Sequence, residues 1–142
     1  MTDWPRRSDA EIERMIEALL GTSPNNLCRV TLAEWSRGRT VFDCIADPPG
    51  QGLTGYLHNG VLAVLMEMAA YVAALSVLPR DRVPVTVDLH LQSLRPIAGG
   101  AKFQLSAEVV RPGSQLCFCK AEAMVSERVH GQATILKAVV QA

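Results

Sequence analysis

Residues 61–78 read VLAVLMEMAAYVAALSVL, eighteen positions that carry one charge, Glu67. The length raises a membrane question, since about 18 apolar residues is the lower limit for a span. A carboxylate near the middle would cost about 2.5–3.5 kcal/mol to insert. The texture is rich in alanine and methionine, and no second hydrophobic segment accompanies it. The stretch therefore predicts a helix buried in a soluble fold, with no membrane span. A helix apolar nearly all round must be covered on most sides, and one antiparallel sheet curling about it would do so.

Outward from that helix the chain supplies the sheet. Over 83–94, Val85, Val87, Leu89 and Leu91 alternate with Thr86, Asp88, His90 and Gln92, the period of a half-buried strand. The run Pro96-Ile97-Ala98-Gly99-Gly100 breaks it, and Phe103, Leu105, Ala107 and Val109 then open a second alternation. Pro112-Gly113 predicts the central pair of a type II turn. Two further strands follow at 116–125 and 129–140. Upstream, 27–35 and 39–47 read as strands about the turn Ser36-Arg37-Gly38, and Asp47-Pro48-Pro49-Gly50 ends them. At the start, Ser8 and Glu11 form a capping box. Ile12, Met15, Ile16, Leu19 and Leu20 recur at helical spacing behind it, and Gly21 supplies a stop. The class is α+β. Residues 1–142 make a single domain, with 1–26 as an N-terminal helical extension.

Composition narrows the function. A chain of 142 residues can bury roughly two-thirds of its unfolded surface without a disulfide or metal staple. Fourteen basic residues balance fourteen acidic ones, so no global field draws nucleic acid or an anionic membrane. Aromatic content of 5% argues against a platform for stacking single strands. Zero net charge on a half-apolar chain favours a homo-oligomer. Met1-Thr2-Asp3-Trp4-Pro5-Arg6-Arg7 lacks the apolar core of a secretory signal. Cys28, Cys44, Cys117 and Cys119 include no CxxC pair, so free thiols in the cytoplasm are expected. The three histidines lie far apart, and no metal-ligand spacing can be read.

Two features could carry chemistry. Glu67 would be desolvated inside its helix, which raises a carboxyl pKa and suits a general base; pairing with a cation is the structural alternative. His58-Asn59-Gly60 stands at the helix start, where free amides at the positive end of the dipole can polarise a carbonyl oxygen. Glu67 lies seven residues beyond Gly60, about 10 Å along a helix axis. A reacting carbonyl needs its oxyanion donors and its attacking water within about 3 Å. One helix cannot serve both. If both act, the amides come from one subunit and Glu67 from another, in an isologous homodimer.

The stretch 54–112 resembles the hot-dog-fold thioesterases of the phenylacetic-acid-pathway type. Their signature opens the central helix with His-Gly-Gly-Val and places an acid nine residues after the histidine. Here it reads His58-Asn59-Gly60-Val61, with Glu67 at that spacing. A Val-[Ser/Thr]-Val-Asp strand ending in Leu-[Arg/Ser]-Pro appears as Val85-Thr86-Val87-Asp88 and Leu94-Arg95-Pro96. A Val-Arg-x-Gly turn matches Val110-Arg111-Pro112-Gly113, and the likeness extends over about 28–141.

The resemblance implies a sheet wrapped about the central helix and hydrolysis of an acyl-CoA thioester without metal or organic cofactor. By correspondence, the Asn59 amide polarises the thioester carbonyl with help from Gly60. His58 orients the loop. Glu67 of the facing subunit activates water or attacks directly, and Thr86 holds that water. The family commonly forms tetramers, so a dimer or a dimer of dimers is expected. Two positions depart from the pattern: Asn59 replaces a glycine, and Gly52 stands where an asparagine is frequent. Gln51 is the neighbour that could supply the missing contact. Arg95, Arg111 and Lys120 are candidates for the CoA phosphates, while Asp88 and His90 read as interface polar residues. The alternative function is a non-catalytic hot-dog module that binds acyl-CoA or a related ligand.

Overall fold

The capping box forms as read. Ser8 Oγ accepts the Glu11 amide at 3.2 Å, Glu11 Oε2 accepts the Ser8 amide at 2.8 Å, and helix α1 runs over Asp9–Leu20. Ile12 and Ile16 are its buried stripe. Gly21 closes it with right-handed backbone, φ −78°. These details come from a computed structural model that describes residues 4–142; Met1, Thr2 and Asp3, the first residues of the opening stretch read for a secretory signal, lie outside the described residues.

Helix α2 spans Asn59–Leu75 and is buried on nearly every side, from Leu62 to Leu75. It starts two residues before the apolar run and stops three before its end. The physical reason is Pro79, since a residue preceding proline is disfavoured in the α region. The Val77 and Leu78 amides both turn back to the Ala74 carbonyl.

Around α2 lie β1 (Arg29–Ser36), β2 (Arg39–Ile45), β3 (Arg82–Ser93), β4 (Lys102–Arg111), β5 (Leu116–Val125) and β6 (Arg128–Gln141). They form one antiparallel sheet in the order β1-β2-β4-β5-β6-β3, which leaves β1 and β3 at the edges. Alternate residues face the helix: Phe103, Leu105 and Ala107 from β4, Cys117, Cys119 and Ala121 from β5, Ala133, Ile135 and Val139 from β6. With Leu65, Met66 and Ala69 of α2 they make one core, each large side chain contributing about 1.5–3 kcal/mol by burial. β6 passes so close to α2 that a Cβ on Gly131 would stand 3.0 Å from Leu62 Cδ2.

Two expectations are corrected. Gly113 is not among the glycines with positive φ, so Pro112-Gly113 is not a type II turn. Glycine is needed there because a Cβ would fall 2.4 Å from the Leu116 carbonyl. In β3 the register slips between Thr86 and Asp88, a bulge at Val87. The alternation therefore changes phase. Val85 and Val87 are exposed, whereas Leu89 and Leu91 pack against the core. β5 and β6 join through Ser126 and Glu127, both left-handed at φ 46° and 66°, the backbone of a type I′ hairpin.

Candidate active site

Thr86 precedes the bulge and sits on the inner side of β3, where its hydroxyl donates to Glu67 Oε1 at 2.7 Å. A third side chain completes the cluster. Lys137 of β6 is the register partner of Thr86 and has no exposed surface. Its Nζ donates to Glu67 Oε1 at 2.5 Å and to Thr86 Oγ1 at 2.6 Å. The Glu67 carbonyl lies 3.4 Å away, and the Tyr71 ring centroid 5.7 Å away. Glu67 is thus not stranded in apolar surroundings; its side chain is 38% exposed and paired with a buried ammonium. Burial pushes the Tyr71 hydroxyl up, Arg7 works against that, and Glu67 adds to it.

Lys137 escaped the sequence reading, although a signal existed. It keeps phase with Ala133, Ile135 and Val139, the apolar face of its strand. A lysine on that face needs a carboxylate opposite.

At the other site, His58 is the N-cap of α2, and its Nδ1 accepts the Gly60 amide at 2.9 Å. Acceptance at Nδ1 places the proton of a neutral imidazole on Nε2. The Gly60 amide is therefore occupied. The Asn59 amide, by contrast, donates to no acceptor among the described residues. Asn59 is one of the residues lining a cavity of about 350 Å³, with Gly52, Tyr56, His58 and Arg95 among others.

The remaining candidates divide. Arg95 lines that cavity and donates to the Val129 carbonyl at 2.6 Å. Gln51 is not among the lining residues; its Nε2 donates to the Ala46 carbonyl at 2.8 Å and braces the loop beneath Gly99. Arg111 is exposed at the end of β4, away from the cavity. Lys120 is paired with Glu108 at 2.8 Å. Asp88 and His90 are exposed on β3. Neither Glu67 nor Thr86 lines the cavity, so one protomer keeps the amide and the carboxylate apart.

All four cysteines are free and buried. Burial pushes the Cys28 thiol up to about 11. Among the described residues no cluster of three or more His, Cys, Asp or Glu side chains could hold a metal ion, and no helix is long and apolar enough to cross a membrane.

Comparison with known proteins places this architecture. The family model described as thioesterase superfamily matches residues 54–131. A search of the curated proteins gives no match. Among solved structures, a thioesterase family protein from Silicibacter pomeroyi superposes with a TM-score of 0.83 at 21% identity, covering 92% of this chain and 99% of that one. Zebra fish thioesterase superfamily member 2 gives 0.83 at 18% identity, covering 93% and 98%. A hypothetical thioesterase protein from Streptococcus pneumoniae, solved with coenzyme A, gives 0.74 at 18% identity, covering 80% and 90%. Taken with the six-stranded sheet around α2, the match shows that this chain belongs to the thioesterase superfamily and has its hot-dog fold.

Proposed function

We propose that the protein is a cytoplasmic acyl-CoA thioesterase of the phenylacetic-acid-pathway type, with each active site shared between two subunits. The single observation that carries this reading is the pairing of a free helix-start amide, Asn59, with an anchored carboxylate, Glu67, on one helix. Coenzyme A in the pneumococcal relative supports the substrate class. The separation of the two groups supports a second copy. So does the position of β3, an edge strand bearing Thr86 with Val85 and Val87 exposed beside it.

In this reading the thioester carbonyl of an acyl-CoA enters the cavity at the start of α2. Its oxygen accepts the Asn59 amide, and the positive end of the helix adds to the polarisation. Glu67 of the facing subunit takes a proton from water as the hydroxide forms its bond to the carbonyl carbon. The tetrahedral intermediate collapses with cleavage of C–S, and the departing CoA sulfur takes the proton back from Glu67. His58 and Gly60 fix the loop. Thr86 holds the carboxylate, since its proton is committed to Glu67 Oε1. Arg95 faces the cavity and is the strongest candidate for an anionic part of CoA.

The test is thiol release over aromatic, short and long acyl-CoAs with wild type and Glu67→Gln. Glutamine keeps a carbonyl oxygen for Lys137 and Thr86 but no base. Turnover by wild type and loss in the variant are expected; equal turnover in both removes Glu67 from the chemistry. The second reading, a module that binds acyl-CoA without hydrolysing it, is favoured by asparagine in place of glycine at 59, a residue that lines the cavity. Thermal stabilisation by CoA with no thiol release from any substrate would establish that reading instead.

A further inference from the structure

Every inward position of β6 except one is apolar or glycine: Gly131, Ala133, Ile135 and Val139 flank Lys137. Burying an ammonium costs free energy, and a buried ion pair is commonly no more stabilising than an apolar residue of similar volume. Glu67 gives no structural reason for that cost, because at 38% exposure water can solvate its carboxylate. The hydrogen bonds also fall unequally on the two oxygens. Lys137 and Thr86 both donate to Oε1, while Oε2 accepts nothing among the described residues. Thr86 in turn accepts from Lys137, which fixes the direction of its own proton.

We infer that Lys137 is a positioning residue for the proposed hydrolysis: it locks Glu67 through Oε1 so that Oε2 is the oxygen that activates water. The inference rests on the thioesterase reading and adds a residue that acts only through Glu67. Two donors converging on one oxygen remove rotation about the carboxylate bond, and a base held in one orientation loses less to misalignment at the transition state. The Tyr71 ring over the ammonium and the Cys117 and Cys119 thiols near it complete the surroundings of Lys137. None of these gives Nζ another carboxylate, so its charge is directed at Glu67.

The experiment compares wild type, Lys137→Met and a packing control, Ile135→Val, on an acyl-CoA that the wild type hydrolyses. Methionine keeps the aliphatic length and removes the charge. The expected result is a fall in kcat of about tenfold or more with KM within about twofold, the mark of an interaction made in the transition state. Circular dichroism and elution volume stay those of wild type. Ile135→Val lowers the melting temperature and leaves kcat unchanged, which separates positioning from packing. Should Lys137→Met fail to fold, Lys137→Gln carries the same decision. A chain that folds only with lysine at 137 assigns that side chain to stability and overturns the inference. Unaltered kcat in Lys137→Met overturns it too, while the thioesterase reading stands. No thiol release by the wild type would bring down that reading, and the inference with it.

Discussion

The Gly60 amide points at His58 Nδ1 from 2.9 Å, and a Cβ on residue 60 would sit 2.9 Å from the same nitrogen. Glycine and histidine therefore fit each other through a single contact, which both caps the helix and closes the loop around the cavity. His58→Ala should cost about 1 kcal/mol of stability, the usual loss for a missing N-cap. Gly60→Ala forces the imidazole out of place, and kcat/KM is expected to fall at least about tenfold with the far-ultraviolet spectrum intact. Urea titration reads the first effect and thiol release the second. A Gly60→Ala variant with wild-type kinetics would show that the cap has no bearing on turnover.

Asn59 offers a cleaner probe of the oxyanion donor. The first helical position tolerates proline, and His58 already has the extended backbone, φ −68° and ψ 130°, that a residue before proline requires. Asn59→Pro deletes the backbone N–H together with the side-chain carboxamide, so Asn59→Ala, which loses only the carboxamide, is the control. Folding is expected to survive, with kcat down by about 10²–10³, the usual loss for one oxyanion donor.

Shared sites can be tested by mixing two inactive chains. Asn59→Pro and Glu67→Gln, refolded together at equal concentration, give half heterodimers with one intact site in two. About a quarter of wild-type activity should return. A mixture as inactive as its components would put each site within one chain.

The thiol of Cys28 links folding to alkaline pH. Its folded value is about 11 against an ordinary 9.0, with burial the leading cause and Asp47 adding to it. Above pH 9 the unfolded chain releases this proton while the folded chain keeps it, so stability declines as pH rises toward 11. Below pH 9 the contribution is complete. Wild type should lose melting temperature across pH 9–11 more steeply than Cys28→Ala, and parallel curves would contradict this.

Glu127 occupies left-handed backbone at φ 66°, a conformation that costs an L side chain about 1–2 kcal/mol. Glu127→Gly should gain about 0.5–1 kcal/mol after allowing for the flexibility of glycine in the unfolded state, visible as a higher urea midpoint.

These sites differ in how far the sequence exposes them. The carboxylate in the apolar run, the histidine ahead of it and the capping box at Ser8 are local signals, and each stands where its spacing implies. Glu67 and Asn59 are legible because helical rise converts residue number directly into distance. The bulge at Val87 is not legible in this way. It depends on the register that β3 takes against β6, and alternation in β3 alone continues the wrong phase through it. Lys137 lies between these cases. Its place among Ala133, Ile135 and Val139 marks a charge on an apolar face, but its partner is seventy residues away. The Gly113 turn is not legible either, because Pro-Gly suits several turns and the deciding constraint, close approach to the Leu116 carbonyl, lies outside the dipeptide.

The strand that carries Thr86 has a neighbour on one side only. If a second copy docks at that margin to complete each site, catalysis ceases to be a property of the solitary chain. Activity per molecule would then fall on dilution and return on concentration, so that abundance itself sets how much of the protein is switched on.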